Sequence, residues 1–391
     1  MDLSIYFEPV PVSVTNLITP GKTCLGDVMR IYRLEGQFPQ TSDYDIALIG
    51  VPDDRGAINN EGCNDAPDEV RKYLYELYQG AWKSKIADLG NLKPGHSATD
   101  TMFALAEVMA LLIGNKILPV IIGGSQSLTY AMYKAYEQLE KIINVVVIDP
   151  RFDLKSEETT DLHSRNYLSQ IILLKPNYLF NYTNIGYQTY FVDQSEIDLM
   201  SKLLFDSYRL GQINSDFKEI EPLVRNADMI SVDMGAIKSS EAPGNGNASP
   251  NGFTGEQACQ AVRYAAMGEK LSSIGFFELN PSYDRNGTTA YLLAEMIWYV
   301  FEGFNQRKKD FPAPNSDEFI KYTVPTADFK DGIVFFKSRK TDRWWMEVIC
   351  GDDNQIKFAS HYMVPCSYKD YLTACNNEIP DRWWQVYQKL M

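Results

Sequence analysis

Four acids in this sequence stand where apolar runs give out. Asp149 and Asp153 bracket Arg151 directly after the β-branched run 145–148, Asp233 closes Met229-Ile230-Ser231-Val232, and Glu278 closes Ser273-Ile274-Gly275-Phe276-Phe277. A fourth run, Ile117-Leu118-Pro119-Val120-Ile121-Ile122, ends in Gly123-Gly124-Ser125-Gln126-Ser127. Ligands of open parallel sheets sit just beyond the carboxyl ends of the strands, so acids delivered there are site candidates. One such pair taken alone is more often a strand-end cap or a surface ion pair. Several strands ending this way on one edge shift the balance toward a site.

The elements that must position these residues follow from the hydrophobic pattern. Four consecutive β-branched residues, Val145-Val146-Val147-Ile148, read as an interior strand buried on both faces, and Pro150 stops its pairing. Further strands are expected at 45–52, 85–90 and 178–186. Helices are expected at 25–34, from Pro67, at 99–112 with Thr99 or Asp100 as cap, at 196–204, at 215–225 with Ser215 as cap, at 254–268 and at 287–304. Such alternation predicts an α/β fold with a mostly parallel sheet covered by helices on both faces.

Composition narrows the function classes. The 391 residues are 45% hydrophobic and 13% aromatic, enough for one large α/β domain with an extension. A formal charge of −14, with no block of Lys or Arg to offset it, argues against nucleic acid as a partner. No apolar run approaches a membrane span, and the start Met1-Asp2-Leu3-Ser4 has no basic leader, which together suggest a cytoplasmic protein. Six scattered cysteines without a Cys-x-x-Cys pair suit reduced thiols. Residues 1–44 form an irregular segment, 45–305 the α/β domain, and 306–391 an aromatic-rich extension of small α+β type. Pro312-Ala313-Pro314 marks a hinge there, 332–337 and 344–349 a hairpin, and 367–374 and 380–389 two short helices. Trp344, Trp345, Trp383 and Trp384 read first as a satellite core and second as an oligomer interface.

The four polar strand ends resemble, in order and spacing, the signatures of the ureohydrolase family of arginase, agmatinase and formimidoylglutamase. There the corresponding segments run Gly-Gly-Asp-His-Ser, Asp-Ala-His-x-Asp, Ser-x-Asp-x-Asp and Glu-x-Asn-Pro. Matching segments here include Ile49-Gly50-Val51-Pro52, Ala66-Pro67-x-x-Val70-Arg71, Asp88-Leu89-Gly90, Ala242-Pro243-Gly244 and Asn251-Gly252-Phe253-Thr254. The resemblance spans 45–305 and implies the three-layer arginase-like fold.

What it implies for chemistry is less uniform. Family members hold two Mn²⁺ ions with two His and four Asp, activating water for attack on a guanidinium or amidine carbon. Matched residue by residue, Gln126 and Arg151 stand at the histidine positions and Gly235 at the last aspartate, while Asp149, Asp153 and Asp233 remain. Gln126, Asp149, Asp153 and Asp233 still offer an all-oxygen set for one weakly bound Mn²⁺, Mg²⁺ or Ca²⁺. Arg151 cannot ligate a metal; it is expected to replace one as a cation within a salt-bridge network, with no cofactor as the leading expectation. Glu278 matches the acid that receives the amidine, or else caps a turn. His163 resembles a proton-shuttling histidine, or else makes a simple polar contact. Lys155 and Lys238 could add positive charge around the acids. Three readings stay open: a catalytically impaired protein that binds an amidine or guanidino ligand or acts as a scaffold, an active amidine hydrolase with one metal or none, and a protein whose aromatic C-terminal extension is the functional part and binds a protein partner. The resemblance also implies a possible homo-oligomer.

Overall fold

The β-branched run 145–148 becomes part of a strand in which every residue, Ile143–Ile148, is buried. The computed structural model describes all residues except 1, 20, 22, 35, 155–160, 313–316, 327–328, 330, 349–360 and 391. Lys155, Ala313, Pro314 and Ile349 of the expectations above therefore lie outside the described residues.

In chain order the main sheet takes β1 (Phe7–Glu8), β2 (Arg30–Ile31), β3 (Ile46–Val51), β4 (Ile86–Leu92) and β5 (Leu118–Gly123). It continues with β6 (Ile143–Ile148), β7 (Leu179–Tyr187), β8 (Asp206–Arg209), β9 (Met229–Asp233) and β10 (Ser273–Phe277). The spatial order is β1-β4-β3-β5-β10-β9-β6-β7-β8, with β2 also on β4. Every pairing is parallel except β1 on β4. Two cores explain why β3, β5, β6 and β10 are buried throughout rather than alternating. Helices Ala66–Leu74, Gly255–Ala266 and Thr288–Asn305 cover one face. Helices Ala98–Gly114, Leu128–Gln138 and Tyr167–Leu173 cover the other. The fold is thus the mostly parallel, two-sided α/β sheet expected, with an antiparallel sheet added after it.

Two motifs quoted separately above turn out to be halves of one device. Arg71 and Asp88 are both fully buried, and the guanidinium fork meets the carboxylate with Nε–Oδ2 at 2.8 Å and Nη2–Oδ1 at 2.9 Å. Such a pair survives burial because its geometry is bidentate and Tyr75, Asn91 and Gly90 take up the remaining hydrogen bonds.

Three helix expectations need correction. The helix at 25–34 stops at Leu25–Val28, because the chain is captured as β2 beside β4. The segment 215–225 is broken into Leu210–Ser215, a 3₁₀ turn at Phe217–Glu219 and Ile220–Arg225; Pro222 has no N–H to continue one helix through the turn. Ser215 therefore ends a helix instead of capping one. The helix at 99–112 begins one residue earlier than expected, at Ala98, on a Ser97–Asp100 capping box.

In the extension, β11 (Phe319–Val324), β12 (Ile333–Ser338), β13 (Trp344–Glu347) and β14 (Met363–Cys366) form an antiparallel sheet in that order. Helices Tyr368–Cys375 and Asp381–Leu390 follow. Trp344 and Trp383 lie in its core, Trp345 packs edge-on against Phe319, and Trp384 is exposed. The extension grips the amino ends of the parallel strands. Arg225, just before β9, pairs with Glu221 at 2.9 Å, donates to the carbonyls of Trp344 and Cys366, and stacks 4.4 Å from the Trp345 ring. His361 stacks on Phe180 and reaches the Ile142 carbonyl. Among the described residues five cysteines are free, and no helix is long and apolar enough to cross a membrane.

Candidate functional site

The turn after β5 sets one wall of the site. A Cβ on Gly124 would fall 2.4 Å from the Asp53 carbonyl oxygen, so only glycine allows this turn to close against the loop after β3. That closure aims Gln126 across the edge of the sheet. Its backbone N–H donates to Glu278 Oε1 at 2.8 Å.

Glu278 is the most completely anchored side chain of the group. It is 3% exposed and holds φ at +66°, a left-handed conformation that a glutamate rarely adopts. Asn60 Nδ2 donates to its Oε2 at 2.7 Å and to its carbonyl at 3.0 Å, and Asn245 Nδ2 donates to the same carbonyl at 2.9 Å. Burial raises its carboxyl above the usual range, while the Gln126 and Asn60 donors oppose that. Asp153 shares the left-handed conformation, at +56°. Two non-glycine residues held this way in one pocket are strain of the kind that collects at working sites.

Asp149, Asp153 and Asp233 complete the acid group, and burial is the largest cause raising all three. For Asp153 and Asp233 the next cause is the neighbouring Asp149 charge. Asp149 Oδ1 accepts the Arg151 N–H at 2.7 Å, whereas its Oδ2 is buried with no donor in hydrogen-bond geometry. Asp153 and the Gln126 amide lie beside Asp149. Asp233 Oδ1 accepts the Gly235 N–H at 2.6 Å. A side chain at Gly235 would start 3.1 Å from that oxygen, so the position faces the acids although it now contributes no donor atom.

Arg151 is not placed as expected. Its guanidinium lies over the Phe191 ring at 4.2 Å, and among the described residues it makes no ion pair with Asp149, Asp153 or Asp233. A weakly hydrated planar cation gains from the ring face, and burial followed by the Arg165 charge holds its pKa below the ordinary value. His163 is buried, and its Nδ1 accepts the Arg165 N–H at 3.1 Å. Lys238 turns away to Glu241 at 3.6 Å. Asn60, Asn245 and Arg165 were not singled out from the sequence, because lone Asn and Arg residues in polar loops carry no periodicity or spacing that marks them.

An arginase-family model matches residues 44–302. The chain belongs to the arginase family. It is similar to the formimidoylglutamase of Bacillus subtilis, 25% identical over 284 residues, covering 66% of this chain and 86% of that protein. The formimidoylglutamase of Staphylococcus epidermidis is 26% identical over 267 residues, with 64% and 84% covered. In three dimensions the fold matches a Trypanosoma cruzi formiminoglutamase solved with Mn²⁺, at TM-score 0.66 and 17% identity, covering 73% of this chain and all of that one. It also matches the Bacillus subtilis formimidoylglutamase structure, at TM-score 0.65 and 21% identity, covering 73% and 93%.

The expectation of no cofactor is corrected by these comparisons, since a family member of the same fold was solved with Mn²⁺. The donors present suit one ion better than two. Asp149 keeps a buried oxygen without a donor, and three like-charged carboxylates beside an amide call for a cation. Among the described residues, however, no group of three or more His, Cys, Asp or Glu side chains is arranged to hold a metal ion without rearrangement. Arg151 and Gly235 supply nothing to a second ion.

Proposed function

We propose that this protein binds a small linear amidine or guanidino compound on Glu278, and that its hydrolysis is impaired relative to dimanganese members of the family. The observation that carries the reading is the state of Glu278: buried, conformationally strained, and fixed through both carboxylate oxygens and its carbonyl by Gln126, Asn60 and Asn245. A carboxylate so positioned before any ligand arrives needs little reorganisation to accept an amidinium fork. Gln126, Asp149, Asp153 and Asp233 would hold a single divalent ion. When bound, that ion supplies Lewis acidity and an activated water. His163, buried and bound through Nδ1 to the Arg165 N–H, would be the group to move a proton. Impairment follows from Arg151 and Gly235, which leave the second half of a two-metal clamp without ligands.

Elemental analysis after Mn²⁺ loading and dialysis, followed by calorimetric titration with an amidine panel, tests this. One ion per chain, amidine binding that Glu278→Gln weakens roughly tenfold or more, and turnover far below that of a dinuclear relative support it. Two ions per chain with full turnover, or binding indifferent to Glu278→Gln, would overturn it.

A further inference from the structure

The sheet edges of this protein differ in how much backbone they leave open. The main sheet ends in β1, of two residues, and β8, of four. In the extension β14 also has four residues. Val348 donates to the Tyr362 carbonyl across the β13–β14 ladder, so Val364 and Cys366 face β13 and Pro365 faces the outer side, where it offers no N–H. The opposite edge is built otherwise. β11 runs for six residues, contains no proline, and has a neighbour on one side only, β12.

The ladder shows which of its groups are left over. Arg339 donates to the Glu318 carbonyl at 2.9 Å, and Phe319 stands opposite Ser338, so Ile320, Tyr322 and Val324 turn their backbone groups to β12. Ser338 donates the other way, to the Arg343 carbonyl at 2.9 Å, as this alternation requires. Phe319, Lys321 and Thr323 therefore direct their N–H and C=O groups outward. Among the described residues these groups have no hydrogen-bond partner, and the Lys321 and Thr323 side chains are exposed.

Outward amides and carbonyls in register on an extended strand are complementary to another extended strand. Charge decides which one. A second copy pairing antiparallel about a two-fold axis sets outward residues against outward residues, and the centred overlap brings Lys321 opposite its own equivalent. Like charges directly opposite are unfavourable. Among the described residues Lys321 has no carboxylate within 4.0 Å; its ammonium lies 5.8 Å from the Phe336 ring centre. We propose that the open edge of β11 docks an extended segment of a partner protein. The segment carries an acidic residue opposite Lys321 and β-branched residues opposite Phe319 and Thr323. Lys321 both selects this partner and keeps two copies of the chain apart.

The test uses the full chain and a capped heptapeptide, Thr-Val-Thr-Glu-Thr-Val-Thr, whose central Glu meets Lys321. Residue-resolved hydrogen exchange of the free protein should find the Lys321 and Thr323 amides fast and those of Ile320 and Tyr322 slow, and the peptide should protect the fast ones. In fluorescence anisotropy, Lys in place of the central Glu should weaken binding roughly three- to tenfold. N-methylation of both Val residues and the Glu, which removes the donors facing β11, should weaken it roughly tenfold or more. Lys321→Glu should reverse the preference between the Glu and Lys peptides. Thr323→Pro, which deletes an outward N–H, should weaken binding without shifting urea unfolding; Lys321→Glu serves if the proline variant does not fold. Slow exchange at Lys321 and Thr323 in the free protein overturns the proposal: an edge covered by the chain itself if independent of concentration, by a second copy if it grows with concentration. Absence of peptide binding, or binding indifferent to N-methylation and to the charge swap, overturns it as well.

Discussion

At the amino edge of the sheet Asp228 is met by Lys141 at 3.1 Å and Lys270 at 3.8 Å, and its carboxylate also accepts the Asn144 N–H. At the carboxyl edge Asp149, Asp153, Asp233 and Glu278 gather at the strand ends, and among the described residues no ion pair reaches them. The same sheet therefore handles buried charge in two ways. Where the extension docks, each charge has a partner and the contacts serve stability. Where the acids gather, counter-charge is withheld, and like charges are left for a ligand to neutralise.

The contrast can be broken most forcefully at the amino edge. Arg225→Met removes a buried cation that ties Glu221, two extension carbonyls and the Trp345 ring together. We expect a loss of about 1–3 kcal/mol in urea unfolding, since the two carbonyls lose their donor while Glu221 keeps Arg343. No loss would mean the extension docks by its apolar surface alone. At the other edge, Arg151→His with Gly235→Asp returns two donor positions. Ion content should then rise from one to two per chain, and affinity for the added ion should exceed wild type by roughly ten- to hundredfold. An unchanged ion count would show that the edge has moved too far to be restored.

Acid sensitivity separates the two ends in another way. Burial is the main cause holding His361 down to about 3. A ring whose folded value lies below its unfolded one contributes fully above the unfolded value, and that contribution is lost as pH falls toward the folded one. Lys270 and Lys141 add to the depression, while Asp228 and the Ile142 carbonyl oppose it. The loss at pH 5 is about 2 kcal/mol relative to pH 8. His361→Gln should flatten the stability–pH curve in that window; an identical curve would assign the acid sensitivity elsewhere. The smallest expected effect is Asp153→Asn, which removes one of three like charges and places asparagine in a left-handed conformation it tolerates. The ion-free protein should gain roughly 1 kcal/mol in thermal melts, while Mn²⁺ uptake falls.

The sheet was legible because burial on both faces writes continuous apolar runs, and 143–148 and 273–277 needed no context to be read. Short edge strands such as Arg30–Ile31 and Asp206–Arg209 were missed, because two to four residues carry no period. β11 and β14 were missed as well, since the expected hairpin supplies only the middle of that sheet. Within the site, the acids were marked by ending strands. The groups that hold them, Asn60 and Asn245, act over 218 and 33 residues of sequence, and only folding brings them near. Arg151 was recognised by position yet misplaced, because its choice between carboxylate and aromatic face depends on Phe191 and Arg165.

The wiring of Glu278 to the Gln126 amide has a thermodynamic corollary. In the function proposed above, one end of that hydrogen bond belongs to the residue that would receive the amidine, and the other to a residue that would be offered to the ion. Two ligands that act on one rigid connection cannot be indifferent to each other. Whatever factor the ion contributes to amidine affinity, the amidine must return to ion affinity, so the weaker the ion's hold alone, the more its retention reports on ligand supply.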